Sequence, residues 1–134
     1  MWNIEIVDGT GLDVSEVQSL YRASTLAERR PSDDSERLRS MLVGSNLIAT
    51  ARIGDRLVGL SRSLTDTDYV TYLCDLAVHA DFQRMGIGKD LIRATAAAAP
   101  RSKIVLLSAP DAMEYYPRIG FNRHNSAWVL DALK

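Results

Sequence analysis

The sequence predicts an α/β (α+β) fold, a mixed central sheet flanked by helices, on three observations. Residues 46–53 and 56–64 read as strands joined at Gly54-Asp55, where glycine relieves the positive-φ penalty of a tight hairpin. Residues 69–78, a helix opening at Gly86 and residues 104–107 follow as strand, helix and strand, the order of a right-handed parallel crossover. Two amphipathic helices precede all of these. Antiparallel and parallel pairing within one sheet is the consequence.

Ile4 and Ile6 mark a short first strand, which Gly9-Thr10-Gly11 ends. Asp13 is placed to accept backbone N–H bonds as an N-cap, and Glu16 stands at the reciprocal capping position. Val14, Val17, Leu20 and Tyr21 recur at helical spacing, so a helix is expected over 14–26. Arg29-Arg30-Pro31-Ser32 interrupts it. A second helix over 33–43 carries Leu38, Met41 and Leu42 on one side and stops at Gly44. Thr65-Asp66-Thr67-Asp68 makes the turn before strand 69–78, whose aromatic and β-branched residues and terminal Leu76-Ala77-Val78 run suit an interior position. The helix from Gly86 sets Ile87, Leu91, Ala94 and Ala98 on one stripe and ends at Pro100. A short helix over 111–118, Gly120 as its C-cap and a final strand over 126–130 complete the layout.

A chain of 134 residues, 46% hydrophobic and 25% charged, has a globular composition and fits one domain over 1–134 with a sizeable core. Sixteen Lys and Arg balance seventeen Asp and Glu, so no global positive charge recommends a nucleic acid or a membrane surface. The single cysteine, Cys74, excludes an intrachain disulfide and a multi-cysteine metal centre. His79 and His124 do not make a metal site either. No stretch approaches the ~18 consecutive apolar residues of a membrane span, and Met1-Trp2-Asn3-Ile4-Glu5 lacks the regions of a signal peptide. The expectation is a cytoplasmic protein with no metal, nucleic-acid or membrane partner.

Gln83-Arg84-Met85-Gly86-Ile87-Gly88-Lys89 lies between the buried strand and the third helix. The opening N–H groups of a helix lack internal partners, so glycines there let a phosphate approach them at the positive end of the helix dipole. Arg84, Lys89 and Arg93 against Asp90 add local positive charge. The turn is read as a cradle for a pyrophosphate; a glycine turn that merely permits close packing has the same local pattern. A dinucleotide fingerprint is incomplete, since its third glycine falls at Leu91, and the P-loop signature is absent.

In this setting the segment resembles the Q/R-x-x-G-x-G/A motif of the GNAT superfamily of acetyl-CoA-dependent N-acetyltransferases, matched by Gln83, Gly86 and Gly88. Asp75-Leu76-Ala77-Val78-His79 and Phe82-Gln83-Arg84 are similar to the family's strand 4 and the loop entering its central helix. Ala112-Met113-Glu114-Tyr115-Tyr116-Pro117-Arg118-Ile119-Gly120-Phe121 looks like its A-x-x-F/L-Y-x-x-x-G-F stretch. The resemblance implies the GNAT fold, in which the strands over 69–78 and 104–108 splay apart and admit acetyl-CoA. It assigns the pyrophosphate to the backbone of Arg84, Met85, Gly86, Ile87, Gly88 and Lys89, beside Gln83. The pantetheine arm and thioester fall along Leu76, Ala77 and Val78. A small-molecule or peptide amine is the implied acceptor, and homodimerisation, common in the family, would engage the terminal strand around Trp128.

Acetyl transfer from a thioester to an amine needs a neutral attacking nitrogen, a polarised carbonyl and a proton for the departing sulfur. The resemblance puts Tyr116 where many family members protonate that sulfur, and a phenol of pKa about 10 is protonated at neutral pH. The Tyr115-Tyr116 pair also has the make-up of a packing ledge. A main-chain N–H at Ala77 or Val78 is the expected carbonyl polariser. Asp75 is the candidate base or counter-charge for the amine, and as a base it needs an elevated pKa; a hydrogen-bonded strand-end carboxylate is the other reading. Cys74 stands where several polyamine-acetylating relatives carry an acid. It reads as a buried thiol rather than a nucleophile, pointing to the face opposite Asp75. Arg29, Arg30, Asp33 and Asp34 lie where family members shape the acceptor pocket. The expected activity is direct transfer in a ternary complex. The alternative is a catalytically reduced CoA-binding regulatory module, which the missing acid at Cys74 supports.

Overall fold

The computed structural model describes residues 1–133. Strands β1 (Asn3–Val7), β2 (Leu47–Ile53), β3 (Arg56–Thr65), β4 (Val70–Val78) and β5 (Lys103–Val105) form a sheet in the order β1-β2-β3-β4-β5. The first four pair antiparallel in succession, and β5 joins β4 in parallel. The expected hairpin turns at Gly54, whose φ of 59° is the left-handed conformation the connection requires. Helices α1 (Val14–Ala23), α2 (Ser35–Gly44), α3 (Ile87–Ala98) and α4 (Tyr115–Arg118) complete the architecture. Among the described residues no helix is long and apolar enough to cross a membrane.

One core joins α1 and α2 to the sheet through Val17, Leu20, Tyr21, Leu38 and Leu42 against Ile48 and Leu60; a second packs Ile87 and Leu91 of α3 against Ala49, Ala51 and Val58. Each fully buried leucine or isoleucine contributes about 1.5–3 kcal/mol. Gly59 admits α3, because a Cβ there would stand 2.9 Å from Ile87 Cγ2 and 3.1 Å from Leu91 Cδ1. Trp2 Nε1 donates to Asp90 Oδ2 at 2.8 Å and ties the amino-terminal strand region to the first turn of α3.

Several boundaries differ from expectation for local reasons. Asp13 caps α1 by accepting from the Ser15 amide, but Glu16 does not close a capping box; it pairs with Arg52 at 2.9 Å. The helix ends at Ala23, because Thr25 turns left-handed (φ 70°) before a 3-10 turn over Leu26–Arg29. On α3 the buried stripe runs through Ile87, Leu91 and Thr95 to Ala99, and Ala98 is exposed. Thr95 is accommodated because its hydroxyl donates to Leu91 O and meets Ser61 Oγ. The helix expected over 111–118 splits into a 3-10 turn at Pro110–Ala112 and the single turn of α4. Residues 126–130 form no strand, and Trp128 and Leu130 are 92% and 93% exposed.

Candidate active-site cleft

β4 and β5 share register only at Val70↔Lys103, Thr71↔Ile104 and Tyr72↔Val105. Beyond Tyr72, β4 runs on to Val78 while the chain after Val105 leaves the ladder, with Leu106, Leu107 and Ser108 on the opposite wall of a cleft. That cleft measures about 1270 Å³, more than the ~300–1,000 Å³ of an ordinary small-molecule pocket. The splay also frees backbone. The His79 amide donates to Val58 O at 2.9 Å, so strand alternation turns the amides of Leu76 and Val78 to the unpaired edge. The Ala77 amide faces β3, which leaves Val78 as the free donor of the Ala77 and Val78 pair. Gln83 Nε2 donates to Val78 O at 3.0 Å and joins the end of β4 to the glycine turn.

The turn itself is conformationally unusual. Arg84 (φ 64°) and Gly86 (φ 107°) are both left-handed within three residues, and such turns gather N–H groups into anion-binding concavities. Gly86 is the N-cap of α3 and no side chain caps that end, so the first-turn amides are open. A Cβ on Gly88 would stand 3.3 Å from Tyr115 Oη, 3.8 Å from Val78 Cγ2 and 3.9 Å from Leu76 Cδ2. The space a side chain would fill is therefore cleft. Leu76, Val78, Gln83, Arg84, Gly86, Ile87, Gly88 and Lys89 line it, whereas Ala77 is buried in the core and Met85 points outward, 43% exposed. The chemistry of this set suits a diphosphate on a long flexible arm.

Tyr115 and Tyr116 cross the cleft on α4. Tyr116 packs edge-to-face on Tyr115 and Phe121, with ring centroids 5.2 and 5.4 Å apart, and these contacts fix its orientation. Burial pushes its hydroxyl above the ordinary phenol value, Tyr115 adds to the shift and the charge of Arg29 opposes it. Cys74 lines the cleft half-buried, and burial raises its thiol too.

Asp75 lies on the other face of β4, outside the cleft lining, with its side chain fully buried. Its carboxylate accepts from Tyr21 Oη at 2.7 Å, Arg30 Nε at 2.6 Å and Arg62 Nε at 2.6 Å. Burial alone would raise this carboxyl; the hydrogen bond and charge of Arg62, then Arg30 and Tyr21, hold it below its ordinary value. That is the reverse of the elevation a base requires. Arg30 and Arg62 do line the cleft, so the acid contributes by holding two guanidinium groups at its floor. The sequence reading placed Tyr21 only on the apolar stripe of α1 and did not single out Arg62. The signal for Arg62 is the hairpin register, which sets it opposite Asp75 across β3 and β4.

A family profile described as an acetyltransferase (GNAT) domain matches residues 17–132. The uncharacterized N-acetyltransferase ycf52 of Pyropia yezoensis is 30% identical over 87 residues, 63% of this chain and 50% of that protein. Its counterpart in Porphyra purpurea is 33% identical over 69 residues, 49% of this chain and 40% of that protein. The chain thus spans about half the length, or less, of these curated relatives. Among solved structures, a GNAT-family acetyltransferase from Streptococcus pneumoniae superposes with a TM-score of 0.76 at 23% identity, covering 98% of this chain and 100% of that one. An aminoglycoside N-acetyltransferase in complex with CoA superposes at 0.75 and 16% identity, covering 98% and 95%. At these identities the structural likeness is one of fold. By its sequence profile, this chain belongs to the GNAT acetyltransferase family.

Proposed function

We propose that the chain is an N-acetyltransferase that moves the acetyl group of acetyl-CoA directly to an amine, small-molecule or peptide, within a ternary complex. The observation that carries this reading is the unpaired edge of β4 beyond Tyr72, which opens beside the uncapped end of α3. The fold neighbour crystallised with CoA supports the donor assignment. Acetyl-CoA, when bound, brings an activated thioester. The amides of Ile87, Gly88 and Lys89, with the side chains of Arg84 and Lys89, hold its diphosphate. The edge amides of Leu76 and Val78 align the arm, and the Val78 N–H polarises the thioester carbonyl as charge develops on its oxygen. Tyr116, protonated at neutral pH, gives its hydroxyl proton to the departing sulfur. Gln83 acts at one remove, by fixing the end of β4 against the turn.

The ammonium gives its proton to water without a carboxylate base, since Asp75 is committed to Arg30 and Arg62, and the second proton, lost as the amide forms, restores the Tyr116 hydroxyl. The arginines at the cleft floor supply the alternative: nearby positive charge lowers the pKa of a bound ammonium and favours the neutral amine that attacks. Acceptor-dependent release of free CoA thiol tests the reading. The expected outcome is release that Tyr116→Phe lowers about 100-fold in kcat while leaving the KM for acetyl-CoA nearly unchanged; equal turnover would remove Tyr116 from the mechanism. The withdrawal of Asp75 from the cleft favours a second reading, a CoA-binding regulatory module. Acetyl-CoA binding with no thiol release for any amine would select it.

A further inference from the structure

The floor of the acceptor end is cationic in a way that acetyl transfer alone does not require. Arg62 is 12% exposed in its side chain; Asp75 and Ser45 Oγ engage its Nε and Nη1, and the Tyr21 hydroxyl adjoins the same guanidinium, which leaves one Nη1 hydrogen and at least one Nη2 hydrogen uncommitted. A guanidinium so nearly buried leaves this planar pair of donors at the cleft floor where Arg62 forms part of the lining. Beside it, Arg30 spends its donors on Asp75, Cys74 O and the Arg29 carbonyl. Asp75 thus offsets only one of two adjacent cations. Arg29, exposed at the cleft margin and close enough to Tyr116 for its charge to bear on that hydroxyl, has no ion-pair partner among the described residues. Asp111, Glu114 and Arg29 are all solvent-exposed, so water screens their charge more than that of Arg30 and Arg62.

From this arrangement we infer that the acceptor is an amine that also carries a carboxylate, which Arg62 receives at the floor and Arg29 at the margin. The inference rests on the acetyltransferase reading above. A flat carboxylate matches the open edge of a guanidinium in bidentate fashion. It also resolves an electrostatic conflict: a cation entering between these arginines is repelled, whereas an amino acid enters with its charges balanced. Polycationic acceptors have no matching acid at the floor.

The test measures thiol release from acetyl-CoA with the L-amino acids, their carboxamides, spermidine and an amino-sugar phosphate, alongside calorimetric binding of acetyl-CoA. The expected result is at least one free amino acid preferred over its own carboxamide by about tenfold or more in kcat/KM. Arg29→Ala, a surface change that leaves the fold intact, should raise the KM for that acid and leave acetyl-CoA affinity little altered, and Arg62→Lys should raise the KM for that acid more than the KM for its carboxamide. Thermal unfolding of Arg62→Lys separates lost recognition from lost folding. If acetyl-CoA binds but carboxamides, spermidine or the sugar phosphate are preferred, or no amino acid is acetylated, the carboxylate assignment is overturned and the donor site stands. If acetyl-CoA does not bind, the acetyltransferase reading itself fails, and this inference with it.

Discussion

Replacing Asp75 by asparagine removes one charge and leaves two. The carboxylate has no exposed surface and accepts three hydrogen bonds of 2.6–2.7 Å, while the side chains of Arg62 and Arg30 are only 12% and 26% exposed. In Asp75→Asn both guanidinium groups face each other without a counter-charge, in surroundings too dry to screen them. Deleting one partner of a buried pair costs about 3–5 kcal/mol, which in a chain of this length lowers Tm by roughly 10–20 °C. The pH dependence has a definite sign. A carboxyl held below its unfolded value contributes stability that is fully present above about pH 4 and is lost as pH falls through the lower folded value. Wild type should therefore lose stability on acidification below that point, and Asp75→Asn should lose less. Urea unfolding followed by circular dichroism at neutral and acid pH measures both effects. An Asp75→Asn variant as stable as wild type at pH 7 would refute the buried network, and an acid slope unchanged by the substitution would refute the lowered pKa.

Three further outcomes follow from the same geometry. Cys74→Ala should retain acetyl transfer within a few-fold, because burial keeps the thiol protonated and it takes no covalent part; loss of activity with acetyl-CoA binding preserved would indicate an acetyl-enzyme route. The kcat profile should show no alkaline fall from Tyr116 below about pH 10, since burial raises that hydroxyl, and a fall near pH 8 would mean another group supplies the proton. Gly59→Val should destabilise by about 1–3 kcal/mol, because its side chain meets Ile87 and Leu91 where α3 docks; unaltered unfolding would show that the helix has slack there.

Local signals made the sheet and its helices legible. The turn at Gly54-Asp55 identified β2 and β3, aromatic and β-branched content identified β4, and helical spacing identified α1 and α3. The glycine turn was readable because its meaning depends on its place between a strand and a helix, both of which the sequence discloses. What escaped depends on contacts far apart along the chain. Asp75 meets Tyr21, Arg30 and Arg62 across separations of 54, 45 and 13 residues, and these partners turn a candidate base into an anchor. Thr95 is polar by composition yet buried, because its hydroxyl is satisfied within its own helix. The terminal segment has strand-forming residues yet pairs with none of the five strands, and nothing local reports the early end of β5.

The central claim is that the open first turn of α3 and the free edge of β4 together hold the coenzyme. Isothermal titration of acetyl-CoA into wild type and Gly88→Leu tests it most directly. The added side chain projects between Tyr115, Leu76 and Val78 into the cleft, where the nearest contact is the far end of a tyrosine, so the fold survives while the cradle fills. The account expects saturable binding to wild type and an affinity reduced by at least about tenfold in the variant at an unchanged Tm. Equal affinities, or no binding to wild type, would contradict it.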